Sequence, residues 1–270
     1  GIETRFCDPL DVEGFARALC PKTKAVWCES PVSLSMEVSD IPALATIAKD
    51  KGAVTMIDNT WASPLGFAPL EHGCDMTMMS LSKHVGGHSD LMMGSVSANR
   101  CWYKALRKTA QALGQVVSPD DAALASRGLR TMGVRLERST ASALKIAEWL
   151  ALHPKVARVM CPMRPGEASF ELWRRDFTVG CGLFSFVLNS DDPKASGRVV
   201  DALKRFGIGY SWGGFESLAL PIYPHTHREA MASPTQATTG HRPALRLSIG
   251  LEEAEDLIQD LDQAFEMMDI

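Results

Sequence analysis

Apolar positions along the 270-residue chain alternate between helical spacing and short unbroken runs. Residues 11–19 place Val12, Phe15, Ala16 and Leu19 at helical intervals, and the run Ala25-Val26-Trp27-Cys28 after Pro21 reads as a short buried strand. The step then repeats. Asp40 caps a helix with Pro42 in its first turn, Leu44, Ile47 and Ala48 share one face, and Gly52 ends it before the strand AVTMID. Strands that are apolar throughout, joined by amphipathic helices, predict a mostly parallel sheet covered on both faces. Two further strands are predicted at Met76–Ser80 and 92–98, and the opening IETRF also has the composition of a strand.

From residue 101 to 152 the pattern is helical with few breaks, ending at His153-Pro154. Arg127, Arg130, Arg135 and Arg138 in this stretch read as a solvated helix face or as ion-pair partners. Shorter strands follow at Val156–Met160, Leu183–Leu188 and 245–249, interleaved with helices at 194–206 and 252–267. The change of texture predicts an α/β large domain over residues 1–129 and a smaller C-terminal α+β domain over 130–270, entered through a long helix.

Composition narrows the function. The chain is 46% hydrophobic and 22% charged, which suits a globular fold, and 28 basic against 32 acidic residues give a net charge of −4, without the basic excess of a nucleic-acid binder. No apolar run reaches the length that crosses a bilayer, and no export signal opens the chain. The cysteines (Cys7, Cys20, Cys28, Cys74, Cys101, Cys161, Cys181) are odd in number and never spaced C-x-x-C, which implies reduced thiols in a cytoplasmic protein rather than a disulfide framework or a zinc ribbon.

Several short motifs fail on inspection. Gly207-Ile-Gly209 lacks the third glycine and the helix of a dinucleotide fingerprint, and Gly87-His88-Ser89-Asp90-Leu91 has leucine where a nucleophile elbow needs glycine. His84, His88 and Asp90 are separated by glycines that oppose a metal-ligating helix, so no metal is expected and a structural or surface role is. His225 and His227 read as a loop pair.

One constellation carries chemistry. Asp58 ends a strand of an open parallel sheet, where ligands bind beyond the carboxyl ends. Ser80-Leu-Ser82-Lys83 ends the next strand and is followed by Gly86-Gly87, which permits close backbone approach. An amine, an acid and two hydroxyls at adjacent strand ends suit pyridoxal phosphate, which needs an imine-forming amine, a partner for its ring nitrogen and phosphate contacts.

At these residues the sequence resembles the Cys/Met-metabolism family of pyridoxal phosphate enzymes. The segment IDNTWASPLGFAPLEHGCDMTMMSLSKHVGGHSD resembles the family's cofactor-binding core, and the likeness continues in order through SRGLRTMGVRLERS, FSFVLNS, YSWGGFESL and LRLSIGLEEAEDLIQDLD. The resemblance implies a fold type I (aspartate aminotransferase-like) large domain with a smaller C-terminal α+β domain. It implies Lys83 as the Schiff-base lysine and general base, Asp58 under the ring nitrogen, and Ser80 and Ser82 on the phosphate. It implies Arg246 as the clamp on the substrate carboxylate, and Ser211 and Trp212 as lining of the substrate cleft. Leu245 and Leu247 should face away from Arg246, since a strand alternates its side chains.

Within the family, γ-acting members generally carry leucine where Trp212 stands and a P-x-N-P element where this chain has ESPVSLSMEVSD. Both differences favour β-elimination of cystathionine to homocysteine, pyruvate and ammonia, a step of methionine biosynthesis. A γ-acting enzyme and a non-catalytic protein of the same fold are the alternatives. Family sites are shared between subunits of a homo-oligomer, a dimer of dimers. Members are longer at the amino end, where a phosphate cradle, a ring-stacking aromatic and residues reaching a neighbour's cofactor lie. Tyr103, Tyr210 and Tyr223 do not match those positions, so these 270 residues are expected to be the major portion of a longer polypeptide.

Overall fold

The computed structural model describes residues 1–223 and 242–269, so His225 and His227 lie outside the described residues. Helix α1 (Val12–Ala18) begins where the Asp11 carboxylate accepts the Gly14 N–H at 2.7 Å. It leads into β1 (Ala25–Glu29). Helix α2 (Ile41–Asp50) begins at Asp40, whose carboxylate accepts the Ala43 N–H at 3.1 Å, and carries Pro42 in its first turn. Ile41, Leu44, Ala45 and Ala48 form its buried face, and Gly52 (φ +71°) turns the chain into β2 (Val54–Asp58). After α3 (Ser63–Gly66) come β3 (Met76–Ser80) and β4 (Gly94–Ala98). The sheet order is β1-β2-β3-β4, with the first three strands parallel and β4 antiparallel to β3.

Two sequence expectations fail here. Residues 1–8 form no strand, and Ile2 is 97% exposed: β1 pairs with β2 alone, and the IETRF segment does not take up its open edge. Nor is this sheet covered on both faces, because Trp27 and Val96 remain largely exposed.

The helical stretch after residue 101 is three helices: α4 (Tyr103–Ala112), α5 (Pro119–Leu129) and α6 (Met132–Leu152). Gly114 (φ +66°) breaks the first from the second, and Ser118 caps the second with Pro119 as its first residue. The second sheet is built from β5 (Val156–Met160), β6 (Leu183–Leu188), β7 (Gly207–Ile208), β8 (Leu218–Ile222) and β9 (Ala244–Ser248), with α7 (Phe170–Asp176) before β6 and α8 (Ala195–Ala202) after it. Helix α9 (Ala254–Phe265) closes the domain. The order is β5-β6-β9-β8-β7, antiparallel except for β7 against β8.

Register places Phe186 opposite Leu245 and Phe184 opposite Leu247 on the face that meets the helices, where Phe186 packs edge-on against Phe265 at 6.1 Å. Ser185 and Leu220 flank Arg246 on the opposite face, so Leu245 and Leu247 do point away from it. The buried Asp260 accepts the backbone N–H groups of Lys204 (2.9 Å), Arg205 (2.7 Å) and Phe206 (3.3 Å), tying α9 to the end of α8. The two sheets are joined where the Trp61 indole donates to the Leu183 carbonyl at 3.0 Å.

Candidate active site

Three elements converge at the carboxyl edge of the first sheet: the end of β2, the turn after β3 and the segment between β7 and β8. Asp58 closes β2, and its Oδ1 accepts both the Thr60 N–H (2.9 Å) and the Thr60 hydroxyl (2.5 Å). Thr60 Oγ1 in turn accepts the Ser80 N–H at 2.9 Å, fixing the end of β3 to the end of β2. Among the described residues, Asp58 Oδ2 and the Ser80 hydroxyl take no protein partner. The Ser82 hydroxyl accepts the Met93 N–H at 3.0 Å and donates to the Met93 carbonyl at 3.3 Å, which pins the turn to the start of β4.

Lys83 projects from this turn. Its Nζ donates to Ser211 Oγ at 2.8 Å and lies 5.4 Å from the Trp212 ring centroid. Burial pushes its pKa down, and the charge of Arg246 pushes the same way. Arg246 is only 7% exposed. Its guanidinium donates to the Tyr210 carbonyl at 2.6 Å and lies 5.3 Å from the Tyr210 ring, and burial lowers its pKa. It has no carboxylate partner among the described residues, so a buried, unneutralised fork stands beside the amine.

The segment carrying Ser211 and Trp212 is interlocked with the lysine turn. Gly213 (φ +78°) sits in a backbone conformation that L side chains rarely adopt and in a tight space: a Cβ there would stand 3.0 Å from His84 Nδ1 and 3.2 Å from Lys83 Cβ. Its N–H donates to Ser248 Oγ at 3.2 Å. His84 is fully enclosed, its Nε2 lies 3.1 Å from the Trp61 carbonyl, and its ring meets Trp212 edge-on at 5.4 Å. Burial first, and the Arg135 charge after it, lower its pKa to about 4. His84 and His88, whose Nδ1 faces the Gly86 carbonyl at 2.8 Å, are thus engaged with main chain.

The structure therefore brings Lys83, Ser211, Trp212 and Arg246 into one cluster and joins Asp58, Ser80 and Ser82 to it through the β2–β3 edge. Sequence reasoning missed Thr60, Trp61, Tyr210 and Arg135. Thr60 had a signal, since Asp-x-Thr after a strand forms a local side-chain turn. Arg135 differs from the solvated or ion-paired face expected of it: it donates to backbone carbonyls behind the lysine turn.

The donor set fits pyridoxal phosphate. A half-buried amine of lowered pKa, a carboxylate with one oxygen uncommitted and a strand-end hydroxyl without a protein partner are the unspent groups that this cofactor consumes.

Comparison with known proteins agrees. Residues 1–266 match the family described as Cys/Met metabolism PLP-dependent enzyme. A putative cystathionine beta-lyase of Rhizobium johnstonii is 45% identical over 98% of this chain and 66% of its own length, and the cystathionine beta-lyase MetC of Escherichia coli is 44% identical over 98% and 67%. Human cystathionine gamma-lyase is 36% identical over 98% of this chain and 65% of its own. The chain thus spans about two thirds of the length of these curated relatives. The crystal structure of Lactobacillus plantarum cystathionine gamma-lyase complexed with L-serine superposes with a TM-score of 0.87 at 28% identity, covering 98% of this chain and 69% of that one. The chain belongs to the Cys/Met-metabolism family of pyridoxal phosphate-dependent enzymes, with the fold type I architecture of that family.

Proposed function

We propose that this protein is a carbon–sulfur lyase that cleaves cystathionine by β-elimination to homocysteine, pyruvate and ammonia. The observation that carries the reading is the pairing of the Lys83 amine, 2.8 Å from Ser211 Oγ, with a buried Arg246 that has no carboxylate partner among the described residues. Pyridoxal phosphate, when bound, supplies the electron sink for the carbanion at the substrate Cα. Lys83 would hold it covalently, and Asp58 would face its ring nitrogen. The Ser80 hydroxyl, without a partner among the described residues, would reach its phosphate, and the Ser82 hydroxyl would join by turning its proton from the Met93 carbonyl. Arg246 receives the substrate α-carboxylate on a planar fork, which fixes the substrate's orientation without the cost of moving a charge out of water during the reaction.

The Lys83 amine would take the proton from the substrate Cα as general base. The lowered pKa serves this step, because the neutral base is populated at lower pH than for an ordinary lysine, and activity should rise with pH through that lowered value. Ser211 Oγ holds the amine in place, with the Trp212 ring 5.4 Å away.

The choice of β- over γ-cleavage is supported by Trp212, by the segment ESPVSLSMEVSD after β1, and by relatives that bear the β-lyase name. Pyruvate released from cystathionine is the expected product. Formation of 2-oxobutyrate with cysteine would assign the γ-reaction instead, and absence of both products from cofactor-loaded protein would leave a binding protein of the same fold. Family likeness also supports a cytoplasmic homo-oligomer and a division of the chain near residue 130, where α6 begins the path to the second sheet.

A further inference from the structure

The turn that carries Lys83 folds on itself: the Gly86 N–H reaches the Leu81 carbonyl at 2.7 Å and the Gly87 N–H reaches the Lys83 carbonyl at 2.8 Å. The carbonyls of His84 and Val85 take no part in those bonds and point to the ends of α5 and α6. There Arg135 Nη1 donates to the His84 carbonyl at 2.7 Å, and Nη2 donates to the carbonyls of Gly128 (2.8 Å) and Val85 (3.3 Å). Thr131 Oγ1 accepts from Nε at 3.1 Å and orients the fork.

Both flanks are shaped for this contact. A Cβ at Gly87 (φ +71°) would stand 2.1 Å from Arg135 Nη1, and one at Gly128 would stand 2.0 Å from the Val85 carbonyl oxygen. No carboxylate neutralises the guanidinium among the described residues, so its charge is spent on these carbonyls.

We propose that Arg135 is a positioning residue for the Lys83 amine: by holding the carbonyls of the two residues that follow the lysine, it fixes the direction in which the amine projects. The inference rests on the proposed role of Lys83. Truncating this fork leaves buried carbonyls unpaired and lets the turn relax by a fraction of an ångström, a displacement that proton transfer feels and substrate binding at Arg246 does not.

The test uses the cofactor-loaded protein with Arg135→Lys, Gly87→Ala and, as comparator, Arg138→Met, which loses an exposed pair with Glu253 and a 3.3 Å bond to the Glu252 carbonyl, neither of them at the lysine turn. Borohydride reduction and peptide mapping first locate the cofactor's attachment in the wild type; labelling at a residue other than Lys83 would refute the proposed function itself. With Lys83 labelled, Arg135→Lys and Gly87→Ala should lower kcat by about ten- to a hundredfold. KM should stay nearly constant, and the pH midpoint of the lysine-linked cofactor's absorbance should shift. Arg138→Met should change none of these. Unaltered kcat and midpoint in both variants would overturn the proposal, as would failure of both to fold, since Arg135 would then serve the fold rather than the amine.

Discussion

In the first sheet Trp27 is 60% exposed and Val96 51% exposed, whereas every residue of β6 and β9 is buried, Arg246 included. Strand β1 (AVWCE) is as apolar as β9 (ALRLS), yet alternate residues of β1 are exposed while all of β9 is enclosed. The difference separates two duties: the half-covered sheet presents reactive groups at an edge that solutes can reach, and the enclosed sheet holds a charged fork rigid. Under the proposed function the contrast has a use: a general base must exchange protons and partners, while a carboxylate anchor gains from being desolvated and immobile.

Five experiments bear on this contrast, in descending order of effect. Lys83→Ala should lower pyruvate formation at least about 10⁴-fold, because covalent attachment and base are lost together; substantial residual turnover would move the chemistry away from the open sheet edge. Phe186→Ala, which empties a fully enclosed site, should cost about 3–5 kcal/mol in urea unfolding.

His84 sits between the two regions. Its folded pKa of about 4 lies below the ordinary value of 6.5, so the unfolded chain binds the extra proton across that interval. Stability should therefore rise with pH from 4 to 6.5 and be lost on acidification, by about 3 kcal/mol from this group. His84→Gln should flatten that part of the profile in melts taken across the range. Arg246→Lys should lower kcat/KM about a hundredfold, since a point charge cannot grip a carboxylate in two places. Trp27→Ser, on the exposed face, should change unfolding free energy by no more than about 0.5 kcal/mol; a large loss would show that the first sheet depends on that face.

What the sequence disclosed follows from the range of the forces involved. Strand-end placement singled out Asp58 and Lys83, because strand ends in parallel sheets collect ligand-binding groups; Arg246 came only from the family resemblance, and alternation within ALRLS added that Leu245 and Leu247 point away from it. Strand β8 escaped because Pro221 argues against a strand interior. It is tolerated because β7 pairs only at Leu218 and Ala219, leaving the outer side of β8 free of a ladder at the proline. The three-helix division of 101–152 was hidden by a mostly helical composition in which Gly114 and Pro119 mark the first break, while the second, at Arg130 and Thr131, carries no proline and follows a glycine, Gly128, that lies within α5. Arg135 left no trace, since helical periodicity fixes its face but not which carbonyls a long side chain reaches across the fold.

Gly213 has a consequence for how such a site can diversify. Any larger residue there would be strained by the positive φ and would press on the stem of Lys83 and the ring of His84, so a change at that position disturbs the lysine itself. On the proposed function, the neighbouring Trp212 is the position where a new side chain would alter the cleft while leaving the Ser211 bond to the amine intact.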